Sequence, residues 1–167
     1  MSDPGHQTLP AKTAELGDES FMSATDLRGY MDQIAASRAD QAVEAMDRAR
    51  RAKDDLAKTL AEPIDLTPAK LHEITQTLLI KLRAAAERGE TEIMVMRFPN
   101  SLCTDHGRAI NNTEERWPET LTGRPRQAYE LWRDHLKSAG YGLAAMIVEW
   151  PNGMPGDVGL FLNWGTK

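Results

Sequence analysis

Ile93-Met94-Val95-Met96-Arg97-Phe98, preceded by Gly89 and stopped by Pro99, is the run on which the fold turns. Apart from Arg97 both of its alternating faces are apolar, the pattern of an interior strand covered on two sides. Such a strand needs partners, and the carboxyl-terminal third supplies them. Leu143 to Trp150 and Val158 to Trp164 flank Pro151-Asn152-Gly153-Met154-Pro155-Gly156, a cluster of turn formers, so they read as a hairpin. Trp150 and Trp164 are expected to face one another across it. Ahead of the hairpin a helix is expected over 125–139, with Ala128, Leu131, Trp132, His135 and Leu136 on one face and Gly140 closing it. Strand, helix and strand in that order favour a parallel right-handed crossover. The expectation is an α/β or α+β domain over residues 64–167, a small mixed three-stranded sheet with helices packed on it and the last strand at its antiparallel edge.

Working toward the amino terminus, Thr67 is a natural N-cap, Pro68 suits the first helical position and Gly89 closes the helix. Leu71, Ile74, Leu78, Leu82 and Ala85 line one face. Leu79 and Ile80 widen it, enough to touch both the sheet and the preceding element. Residues 25–62 contain no proline and read as one long amphipathic helix, with Ser23 and Asp26 in a loose capping pattern. Ala42, Met46, Ala49, Lys53, Leu56 and Leu60 step by fours and threes, a heptad seam with a lysine inside it. That seam suits either packing on the chain's own domain, with Val43, Met46 and Leu56 inward, or self-association. Residues 1–24 carry Pro4, Pro10, Gly5 and Gly17 and a charge of −3, the composition of a flexible acidic tail.

Composition removes several function classes. A chain of 167 residues can bury a core without a metal or disulfide staple. Its net charge of −5 disfavours non-specific nucleic-acid binding. The basic cluster Arg48, Arg50, Arg51 and Lys53 is interleaved with acids and reads as a solvated helix face. No apolar run approaches the ~18 residues of a membrane span, and the first residues lack a secretory pattern. With a single cysteine, Cys103, the expected compartment is the cytoplasm.

Chemistry is best sought in the connector over residues 99–124, far longer than the ~2–6 residues usual between a strand and a helix. Leu102, Ile110, Trp117 and Leu121 are anchors enough to fold it down. Cys103, Asp105 and His106 bring a thiol, a carboxylate and an imidazole within four residues, the elements of a nucleophile or of half a metal site. Against this, free cysteines are usually buried hydrophobes, and Asp105 and Gly107 are turn formers whose carboxylate would cap local amides. Arg108, Arg124 and Arg126 could bind an anion beside a helix start. Asn111 and Trp117 complete the candidate ligand or partner surface. An exposed rim of Trp150, Met154 and Trp117 would suit a protein partner.

These patterns favour a non-enzymatic cytoplasmic interaction or regulatory protein. Its long helix serves association with a protein partner or a second copy, and its structured 99–124 loop takes a partner or a small anionic ligand. The alternative is a small enzyme or ligand-binding domain with a site around Cys103, Asp105, His106 and Arg108. No cofactor or metal is called for by any motif.

Overall fold

A strand buried on both faces has to lie between two others, and in this chain that strand is the last one. The computed structural model describes residues 14–16 and 19–165. A short antiparallel pair, β1 (Ala14–Leu16) and β2 (Glu19–Phe21), precedes α1 (Ala24–Ala61) and α2 (Pro68–Glu87). Then come β3 (Glu92–Phe98), the one-turn α3 (Arg108–Asn111), α4 (Gly123–Leu131), β4 (Gly142–Ile147) and β5 (Val158–Asn163). Two units divide the chain, residues 1–51 and residues 52–167.

The three-stranded sheet has the order β3-β5-β4 and is antiparallel throughout. The mixed sheet expected from sequence is corrected accordingly. β3 and β4 do run in the same direction, but β5 lies between them, because the hairpin returns its second strand into the gap that the helical crossover leaves. β3 is therefore an edge strand and not an interior one. Its apolar run has another cause: a bulge between Met94 and Met96 breaks the alternation, so Val95 and Met96 are both half-buried in succession. Val158, Leu160 and Leu162 of central β5 and Phe98 of β3 are almost fully enclosed, each contributing about 1.5–3 kcal/mol. On the opposite face Met94 and Met146 are exposed.

α2 begins and ends where its caps dictate. Thr67 Oγ1 accepts the Lys70 amide at 3.1 Å and Gly89 follows the last turn at φ +80°. Leu82 and Ala85 are buried, but Leu79 and Ile80 face solvent, contrary to the broad contact expected of them. The helix beginning at α4 continues through a π-turn, Trp132–Leu136, to a 3-10 turn ending at Gly140. The π-turn inserts a residue into the helical repeat. His135, expected on the inner face, is exposed as a result, while Leu136 stays half-buried. Trp164 packs edge-on against Tyr141 at 6.5 Å, not against Trp150, which lies beyond the paired residues.

In the first unit, the Asp26 amide donates to Ser23 Oγ at 3.0 Å, capping α1. Val43 and Met46 are exposed, and Arg48 and Arg50 pair with Glu44 and Asp47. Much of the expected tail over residues 1–24 falls outside the described residues. In the second unit the last turns of α1 meet the sheet domain. Leu60 packs against its core, and Lys53 sits 3.1 Å from Glu149 and 3.2 Å from Asp157. Arg97 closes the cluster on Asp157 at 2.9 Å. The lysine that interrupts the heptad seam therefore has acidic partners in its own domain, and the Glu149 bond holds its pKa above the usual value.

Gly123 lets these parts meet. It adopts φ +60°, and a Cβ there would strike the Leu60 carbonyl oxygen and reach 2.8 Å from Ala61 Cα. Gly140 has φ +97° with open space around it. Chemical denaturation should show Gly140→Ala losing about 1–2 kcal/mol from left-handed strain alone, and Gly123→Ala losing more, within about 2–5 kcal/mol, because overpacking adds to strain. Equal losses would contradict the close approach.

Candidate functional site

The connector between β3 and α4 is folded back on itself. Cys103 and Leu121 form an antiparallel bridge. On either side, the Thr104 amide donates to the Thr120 carbonyl at 2.8 Å, and the Thr122 amide and hydroxyl donate to the Leu102 carbonyl at 3.1 and 2.6 Å. Leu102, Cys103, Ile110 and Leu121 join Phe98, Val158 and Leu160 in one buried cluster. The side-chain amide of Asn100 donates to the Pro155 carbonyl at 2.9 Å, tying the connector to the hairpin tip.

Within this frame the sequence-derived candidates separate. Cys103 is buried, and burial pushes its thiol from an ordinary 9.0 to about 11, so it is protonated at neutral pH. Asp105 is a cap: Oδ1 accepts the Gly107 amide at 3.0 Å and Oδ2 accepts the Ala109 amide at 2.8 Å, starting α3. His106 is exposed at φ +56° and is linked to Cys103 through a backbone bond, its amide donating to the Cys103 carbonyl at 3.0 Å. Arg108 and Asn111 are exposed on α3. Arg124 Nε donates to the Glu62 carbonyl at 3.0 Å, and Arg126 bonds the Pro118 carbonyl at 3.0 Å and Glu130 at 3.4 Å. Two of the three arginines expected around an anion thus hold backbone carbonyls. Among the described residues, no three His, Cys, Asp or Glu side chains gather as a metal site, and no helix is long and apolar enough to cross a membrane.

What the connector does assemble is an aromatic face. Trp117 meets the Tyr129 ring edge-on at 6.0 Å, and Trp132 lies 5.8 Å beyond. The guanidinium groups of Arg126 and Arg133 each sit 5.9 Å from the centre of the Tyr129 ring. All three rings are half-buried, and Trp117 and Tyr129 rest on the core cluster. Trp132 Nε1 donates to the Tyr141 carbonyl at 2.9 Å. Tyr129, Trp132 and Arg133 were not among the sequence-derived site residues, although Arg126, Tyr129 and Arg133 stand at helical spacing on one face. Trp150 and Met154 are exposed at the hairpin tip, while Trp117 belongs to this stack.

No protein-family model, curated protein or solved structure matches the chain.

Two measurements check these assignments. Since the folded Cys103 thiol titrates near 11 and the unfolded one near 9.0, the unfolded state loses its proton first. Its contribution to stability is whole below pH 9 and is lost as pH rises through 11, by about 2–3 kcal/mol. Alkaline denaturation series should show that extra loss in the wild type and not in Cys103→Ala; identical slopes would contradict the buried thiol. Asp105→Ala should lower stability by about 1–2 kcal/mol at neutral pH.

Proposed function

We propose that the protein is a non-enzymatic interaction protein of the cytoplasm, and that its partner-binding surface is the face where the folded connector meets the helix that begins at α4. The observation that carries this reading is the stack of Trp117, Tyr129 and Trp132 flanked by Arg126 and Arg133. Tryptophan, tyrosine and arginine dominate the energetics of protein interfaces because they bury large area while keeping a polar handle. Here Trp117 and Tyr129 rest on the core and Trp132 is held by its bond to the Tyr141 carbonyl, so little side-chain entropy remains to be lost on binding. Arg133 is exposed beside the rings, its guanidinium paired with Asp134 at 2.9 Å. The alternative, a catalytic or ligand site around Cys103, Asp105, His106 and Arg108, has less support: the thiol is buried and protonated, and both oxygens of Asp105 hold backbone amides.

A second association surface is proposed on α1. Met46 is 72% exposed and Val43 58% exposed, an unusual investment of apolar surface for a solvated helix, and both lie in or beside the heptad seam. Self-association through this stretch is the reading it favours.

For the aromatic face, the doubly substituted R126E/R133E chain should lose the partners that the wild type retains on affinity capture, while a change on exposed Glu87 leaves them bound. Retention of every partner by R126E/R133E would refute the assignment. For α1, sedimentation equilibrium should show a wild-type oligomer that Met46→Glu dissociates toward monomer; a monomeric wild type refutes self-association.

A further inference from the structure

α2 and α4 part over the inner face of the sheet and leave a cavity of about 300 Å³. It is a cleft about half open to solvent, with room for roughly ten waters at ~30 Å³ each. Its floor is Met96, Leu143 and Leu162, and its walls are Leu78, Leu131 and Trp132. Most of its lining is apolar, so water held against it is favourably displaced by an apolar ligand. A concave apolar site of this size with a few polar groups at its rim is the form that small-molecule sites take.

The rim defines the ligand further. Glu73, Thr77 and Lys81 border the cavity from α2, one residue per turn, which makes it about 12 Å long. Arg124 and Gln127 border it from α4. Glu73 is held by Lys70 at 3.5 Å, and Gln127 is fully engaged with the backbone of Ile64, accepting at 2.9 Å and donating at 2.8 Å. Among the described residues Lys81 has no acidic partner, and Arg124 bonds only the Glu62 carbonyl, through Nε. The charge left uncompensated at the mouth is positive.

We infer that this cavity is a binding site for a single medium-length aliphatic chain ending in a carboxylate, of roughly ten non-hydrogen atoms by volume, with the chain between α2 and α4 and the headgroup at Lys81. Lys81 gives the carboxylate a point charge. The site is separate from the partner surface proposed above, apart from Trp132, which borders both.

Octanoate and octanol, which share a chain and differ in headgroup charge, test this on the full chain by methyl chemical shifts of the cavity leucines and by calorimetry. Octanoate should bind saturably and shift Leu78 and Leu131, with octanol about tenfold weaker. Lys81→Gln, a change at an exposed position, should weaken octanoate about tenfold and leave octanol unaltered. Ala128→Leu, which fills the cavity, should reduce both. Absence of saturable shifts with octanoate overturns the site, and equal affinity for the two probes, or indifference of octanoate to Lys81→Gln, overturns the carboxylate assignment.

Discussion

The pairing of the connector's two ends, Cys103 against Leu121 with Leu102 and Thr122 bonded across it, is the constraint on which the rest of the second unit depends. A segment of some 26 residues carries many backbone polar groups, and it can pass near a core only if those groups find partners. Here they find one another, and the side chains released by that pairing complete the hydrophobic cluster over Phe98, Val158 and Leu160. The same closure places Trp117 against Tyr129 and delivers Gly123 to the turn where α4 starts beneath Leu60 and Ala61. Loss of the pairing would remove the connector's share of the core and the aromatic face together.

Local signals in the sequence were read well wherever local chemistry decides the structure. Thr67-Pro68 at one end and Gly89 at the other bound α2, and the turn formers between Ile147 and Val158 join β4 to β5. Strand order is a different kind of fact. Whether β5 lies at the edge or in the centre depends on which gap the crossover leaves, and no residue of β5 encodes that by itself. β3 misled for a further reason: a bulge lets Val95 and Met96 turn inward consecutively, so the apolar run imitates a strand covered on both sides. The π-turn at Trp132–Leu136 did the same to His135, shifting it off the face that a regular helix would have given it.

The candidate site was legible as a region more than as a set of residues. The length of 99–124 and its apolar anchors marked it correctly as a folded segment. Its most reactive-looking residues turned out to hold it together: Asp105 caps α3, Cys103 fills the core, and Arg124 and Arg126 clamp carbonyls. The adjoining helix adds residues that the sequence reading did not single out, half-buried Tyr129 and exposed Arg133, and the connector brings Trp117 against the Tyr129 ring. The cavity between α2 and α4 had no signature in the chain, since an unfilled space arises from the spacing of elements and not from any residue type.

Native-state hydrogen exchange, followed amide by amide, is the most direct test of the pinned connector. The Thr104 and Thr122 amides, which donate to Thr120 and Leu102, are expected to exchange as slowly as those of Leu160 in central β5, opening only with the whole domain. Exchange of Thr104 and Thr122 at the rate of an unstructured peptide, with Leu160 still protected, would contradict the account.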